Sequence, residues 1–214
     1  MDTVIKWHNE EIGKKVVAAL VKNRFEAEYV ETKKEALEKA LAMIPQKATI
    51  GCGGSMSKIE VGLMDSLKER GNHTFFDWHV HGMSAEEKAE ARRKAVFADV
   101  FVASVNAVTL AGELINIDGT GNRVSSTIFG PKKVLLIVGV NKIVPDIASG
   151  LERLKMIARP ANNKRLNLPN PCVKTGFCVN CDLPTRICNV TSIMHKKPGL
   201  IDISIIIVGE SLGY

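Results

Sequence analysis

Two short, almost purely apolar runs, residues 133–140 (KVLLIVGV) and 201–208 (IDISIIIV), constrain the fold of this chain more than any other feature. Crossing a bilayer takes about 20 consecutive apolar residues, so neither run is long enough to span one. Neither shows the strict alternation of a strand with one wet face. A strand apolar on both sides needs cover on both sides, which a parallel sheet flanked by helices provides.

The rest of the chain supplies those helices. Ile12, Val16, Val17, Leu20 and Val21 recur at helical spacing, as do Ala36, Leu37, Ala40, Leu41 and Met43 ahead of Pro45. Ser84 and Glu87 form a capping box for a helix reaching about residue 97, and another helix is expected from Asp146 to Ala158, closed by Pro160. Short strands are expected at 28–30, 48–50, 74–81 and 99–104. Segments 113–117 and 124–128 flank a glycine-containing turn, Asp118 to Asn122, and read as a β-hairpin. Strands alternating with helices predict an α/β fold with a mainly parallel central sheet.

The 214 residues are 45% hydrophobic and 24% charged, which suits one folded domain over 1–214 and excludes a disordered chain. The first residues lack the apolar core of a secretory signal, so the expected location is the cytoplasm, with no membrane partner. The net charge of +6 comes from 29 basic against 23 acidic residues. No basic run is interleaved with aromatics, so an anionic small molecule is a better expectation than nucleic acid.

Residues 161–197 are the least core-like stretch and read as an insertion before the last strand, bracketed by Pro160 and Pro198. Four of the five cysteines lie there, as C-x5-C-x2-C-x6-C: Cys172, Cys178, Cys181 and Cys188. In a reducing compartment clustered thiols point to metal rather than disulfides, and the two-residue spacer between Cys178 and Cys181 directs two sulfurs at one centre. A 4Fe–4S cluster tolerates such varied spacing; structural zinc is the alternative, because zinc sites commonly pair two C-x2-C knuckles and this chain has one. A third reading leaves the thiols unmetallated.

A second candidate is the glycine loop GCGGSMS at 51–57, between a short strand and a helix. Gly51, Gly53, Gly54, Ser55 and Ser57 there suit an anion, or else a tight turn with a serine cap. Cys52 reads as a small buried residue or a reactive thiol. Asn106, Asn122, Arg123, Asn141 and Lys142 fall near expected strand ends, where open α/β sheets bind ligands, and Arg123 and Lys142 would hold an anionic group. Glu113, beside Gly112, is a candidate acid, base or nucleophile. Asp77, His79 and His81 would share one face of a strand, lining a pocket or facing solvent more readily than binding a metal.

Taken together, GCGGS at 51–55, SVNAVT at 104–109, NIDGTGNR at 116–123, FGP at 129–131, GVNK at 139–142 and the late cysteines resemble the LUD-domain family (lactate utilisation, formerly DUF162), related to LutC and YkgG proteins. The resemblance implies a Rossmann-like sheet of the NagB/RpiA/CoA-transferase type. It also implies L-lactate oxidation within an iron–sulfur oxidase complex, with LutB-like redox partners. The four-cysteine insertion marks a subgroup and departs from the plain LutC pattern. Two functions follow: a redox component with an iron–sulfur cluster, or a non-redox isomerase or CoA-transferase-like enzyme with structural zinc.

Overall fold

The computed structural model describes residues 2–214. Its spine is a six-stranded sheet in the order β1-β10-β7-β4-β2-β3, every pairing parallel. The strands are β1 (Glu26–Val30), β2 (Thr49–Cys52), β3 (Thr74–Phe76), β4 (Val100–Ala103), β7 (Lys133–Gly139) and β10 (Asp202–Val208). The two apolar runs are the adjacent central strands β7 and β10, buried along nearly their whole length.

Two apolar layers cover the sheet. On one face, α2 (Lys33–Met43), α3 (Met56–Glu60) and α4 (Leu63–Glu69) pack Ala36, Ala40 and Leu67 against Leu135, Ile137 and Ile206. On the other, α1 (Thr3–Lys22) and α5 (Ala85–Ala95) bring Val16, Leu20 and Ala95 onto Leu136, Val138 and Ile205. Helix α2 begins at a Thr32 cap, and α5 carries the expected capping box, Ser84 Oγ accepting from the Glu87 N–H while Glu87 accepts from the Ser84 N–H. Gly62, at φ +74°, interrupts what the sequence suggests as one helix and separates α3 from α4.

A second, four-stranded sheet has the order β8-β5-β6-β9, from β5 (Ala107–Thr109), β6 (Leu114–Asp118), β8 (Ile143–Val144) and β9 (Val190–Met194). Here the structure corrects the expected hairpin. The hairpin is β5–β6, antiparallel, whereas the second segment forms helix α6 (Asn122–Ile128). Ser125 and Ser126 donate to the Asn122 carbonyl and Thr127 to that of Val124, so these polar side chains tie back into the helix instead of facing a neighbouring strand.

Pro160 does not end its helix. Helix α7 (Ile147–Arg153) passes through a π-helical turn (Leu154–Ala158) into α8 (Arg159–Arg165). That widened turn relieves the backbone bond that proline cannot donate. The stretch 161–197 therefore starts inside a helix, continues through the short α9 (Cys172–Thr175), and returns to the second sheet as β9 on β6. Polar bonds help shape it: buried Asn170 donates to Asn163 Oδ1 and to the Thr185 carbonyl at 2.9 Å, and Thr185 donates back to Asn170 Oδ1.

Candidate functional site

The carboxyl ends of β2, β4 and β7 open into a cleft of about 810 Å³, closed on its far side by α8 and the cysteine segment. Seven cations line it: Lys88, Arg92, Arg123, Lys142, Arg159, Arg165 and Arg186. Asp118 is the one carboxylate side chain among the lining residues, and Arg123 already holds it at 3.4 Å. The remaining positive charge makes the cleft a receptor for anions.

Lys142 sits at its floor, 3% exposed, in the single turn of 3-10 helix after β7. Its Nζ donates to Ser57 Oγ and Ser104 Oγ, each at 3.0 Å. Burial, then the charges of Arg153 and Arg123, push its pKa down to about 7, against a small opposing pull from Glu60. Arg123 is anchored by Asn106 Oδ1 at 2.9 Å and by the Ile117 carbonyl. Ser55 Oγ and Asn122 Nδ2 are buried at the cleft with no hydrogen-bond partner.

Of the sequence candidates, Gly54, Ser55, His79, His81, Asn106, Asn122, Arg123, Lys142 and Cys188 reach this cleft; the others have different places. Gly51 lies in β2, where a Cβ would come 2.6 Å from the Ala95 carbonyl oxygen, so it serves the close approach of α5. Gly53 leaves room for the stem of Arg123, 3.2 Å from where its Cβ would be. Ser57 is wholly buried beneath Lys142. Asn141 is turned to the chain's end, donating to the Gly213 carbonyl and accepting from the Leu212 N–H. Glu113 stands outside the cleft at the β5–β6 turn, bonded to Thr109 and His195.

Asp77, His79 and His81 do not share a strand face, because β3 stops at Phe76. Asp77 instead caps a turn: its Oδ1 takes both the backbone N–H and the ring Nδ1 of His79, and the His79 contact, with further help from the backbone, holds its carboxyl down to about 2 against burial. Trp78 is buried, with Arg92 over its ring at 5.3 Å. Cys52 is fully buried against Met64, 3.6 Å between sulfurs, and burial pushes its thiol up.

All four late cysteines are free thiols. Cys172 is buried in α9; burial raises its pKa, and the nearby Cys181, Cys178 and Cys188 raise it further, which places the four in one electrostatic neighbourhood. Cys178 is the exception in sign. Burial would raise its thiol, but a hydrogen bond from Arg159 Nη1 at 3.2 Å and one from the Asn180 N–H outweigh that, and the net shift is down. No group of three or more His, Cys, Asp or Glu among the described residues is placed to hold a metal ion. Cys188 itself lines the cleft, as do Arg159 and Arg186, the latter bonded to the Cys181 and Cys188 carbonyls. Arg159 and Arg165 escaped the sequence reading; their only signal is positive charge ahead of the cysteine segment, and the fold brings them to the strand ends.

The LUD domain family model matches residues 13–208. The chain belongs to the LUD domain family. A crystal structure of a DUF162 family protein from Deinococcus radiodurans superposes on this LUD domain with a TM-score of 0.52 at 13% identity, covering 94% of this chain and 98% of that one. That likeness extends to the fold. Two ribose 5-phosphate isomerases also align: one in complex with phospho-erythronic acid (TM-score 0.36, 19% identity, 54% of each chain), the other from Plasmodium falciparum (0.33, 18%, 53% of this chain and 52% of that one). No curated protein matches the chain. No helix among the described residues is long and apolar enough to cross a membrane.

Proposed function

We propose that this LUD-domain protein is a redox component that binds a small organic anion in the cationic cleft and holds a 4Fe–4S cluster on Cys172, Cys178, Cys181 and Cys188. One observation supports both halves: Arg186 and Cys188 belong at once to the cleft wall and to the cysteine segment, and Arg159 of α8 bonds Cys178 from that same wall. A bound anion and the thiolates are thus served by the same guanidinium groups.

The residues suit each role. Four thiols in one electrostatic neighbourhood, with Arg159 and Arg186 to offset thiolate charge, match in number and kind the donors a cluster requires. They would have to draw together to hold it, since no three among the described residues are gathered as metal ligands. Such a cluster supplies one-electron chemistry when bound. Arg165 and Lys88 present charge to a carboxylate or phosphate, and Ser55 Oγ and Asn122 Nδ2 offer polar atoms for a guest to engage. Iron–sulfur proteins of the LutB type are the matching redox partners.

Anaerobic purification with iron, sulfide and zinc analysis tests the cluster, and calorimetry with L-lactate and inorganic phosphate tests the cleft. About four irons and four sulfides per chain are expected, with a brown spectrum. One tightly held zinc and no iron would replace the redox role with a structural metal.

A further inference from the structure

We infer that Lys142 is a Schiff-base lysine, and that the anion the cleft takes carries a ketone or aldehyde carbonyl which this amine captures. The inference rests on the cleft as an anion site and adds the substrate class.

The geometry is specific. Lys142 Nζ lies at the cleft floor, and its two bonded partners are hydroxyls, Ser57 Oγ and Ser104 Oγ, both at 3.0 Å. It forms no ion pair with a carboxylate, while the two arginines whose charges act on it have other anchors: Arg123 has Asp118, and Arg153 has the carbonyls of Asn106 and Asn141. A carboxylate partner would lock the ammonium form. A hydroxyl does not, because it accepts from an ammonium and donates to the lone pair of a neutral amine. Ser57 and Ser104 therefore suit both protonation states, which an amine that attacks carbon must pass through.

The electrostatics agree. A folded-state pKa of about 7 leaves a large fraction of the amine neutral at neutral pH. An ordinary exposed lysine, near 10.4, is neutral in roughly one part in 2,500 there. Desolvation and neighbouring cations are the established means of activating a lysine nucleophile. The cleft cations without a carboxylate partner, Arg165 and Lys88 among them, would hold the carboxylate or phosphate of the guest while its carbonyl meets the amine.

The step balances without an added oxidant. The nitrogen lone pair attacks the carbonyl carbon, the C–N bond forms, and the carbonyl oxygen leaves as water with both amine hydrogens, leaving an imine. Ser104, bonded to the amine and lining the cleft, is placed to pass the proton between nitrogen and oxygen.

The test is reductive trapping. The full chain is incubated with pyruvate or with dihydroxyacetone phosphate, treated with sodium borohydride, and mapped by peptide mass spectrometry, with calorimetry on the same two compounds. One adduct per chain on the peptide bearing Lys142 is expected, lost in Lys142→Met; the compound that gives it shows whether the anionic group is a carboxylate or a phosphate. Saturable binding without an adduct, or adducts spread over surface lysines equally in Lys142→Met, overturns the imine and leaves the anion site standing. Neither binding nor adduct overturns both. Should Lys142→Met not fold, the wild-type peptide map decides.

Discussion

Arg159 faces the cleft and donates from Nη1 to the sulfur of Cys178 across 3.2 Å, so one side chain touches both halves of the site. Its replacement should be felt in both. Arg159→Gln is expected to weaken anion binding by about tenfold, the scale of one charge-assisted hydrogen bond. It should also lower the midpoint potential of the reconstituted protein, since an N–H···S bond and a positive charge favour the more negative, reduced state. Calorimetry and a redox titration read the two effects separately, and a change in one alone would uncouple the cleft from the cysteines.

Lys142 gives the fold a particular dependence on pH. Its folded-state value of about 7 lies below that of an unfolded lysine, so above pH 7 the unfolded chain keeps a proton that the folded chain has lost. Stability on this account rises with pH from about 7 to about 10, and the full cost of the buried charge is present below about 7. Arg153, Arg123 and Glu60 are the charged groups that act on it. Lys142→Met should exceed the wild type by about 1 to 4 kcal/mol near pH 6, with the gap closing towards pH 9 to 10. Urea titrations of both proteins at the two ends of that range measure it.

Asp99 acts with the opposite sign. It fastens the start of β4 to the start of β2, accepting from the Thr49 N–H at 2.9 Å and hydroxyl at 2.7 Å, and it pairs with Lys132 at 2.7 Å. Lys132 first, then Thr49, hold its carboxyl well below the usual range. Its contribution is present above pH 4 and is lost as pH falls through the folded-state value. Because the side chain is a third exposed, Asp99→Asn should cost only about 1 kcal/mol near neutrality, and the difference should vanish at strongly acidic pH.

How much of this was legible in the sequence depends on how local each cause is. The apolar runs of β7 and β10 and the Ser84–Glu87 cap declare themselves within a few residues, and the structure keeps them. Asp118 to Asn122 looks like a hairpin turn because glycines are what such turns need, yet glycine in the left-handed region serves the entry to a helix equally well, as Gly121 does at φ +83°. Strand β9 was hidden by its polar, cysteine-rich neighbourhood, since its pairing with β6 is a long-range event. Lys142 was visible as a cation at a strand end. Its unusual state was not, because burial and the charges of Arg153 and Arg123 create it, and its bonded partners Ser57 and Ser104 lie 85 and 38 positions away in the chain.

Glu113 shows the converse, a residue whose chemistry suggested a role that its position does not serve. It closes the β5–β6 turn: its N–H donates to Thr109 Oγ1 at 3.0 Å, that hydroxyl donates back to its carboxylate at 3.1 Å, and the other carboxylate oxygen meets His195 Nδ1 at 2.7 Å. None of these atoms belongs to the cleft wall. His195 is 65% exposed, so solvent screens the pair and its worth is small. Glu113→Gln retains an acceptor for Thr109 and removes the charge. It should leave anion affinity within about twofold and cost no more than about 1 kcal/mol of stability. A loss of binding beyond that, with the fold intact by circular dichroism, would mean that the hairpin tip reaches the ligand and that Glu113 belongs with Lys142 after all.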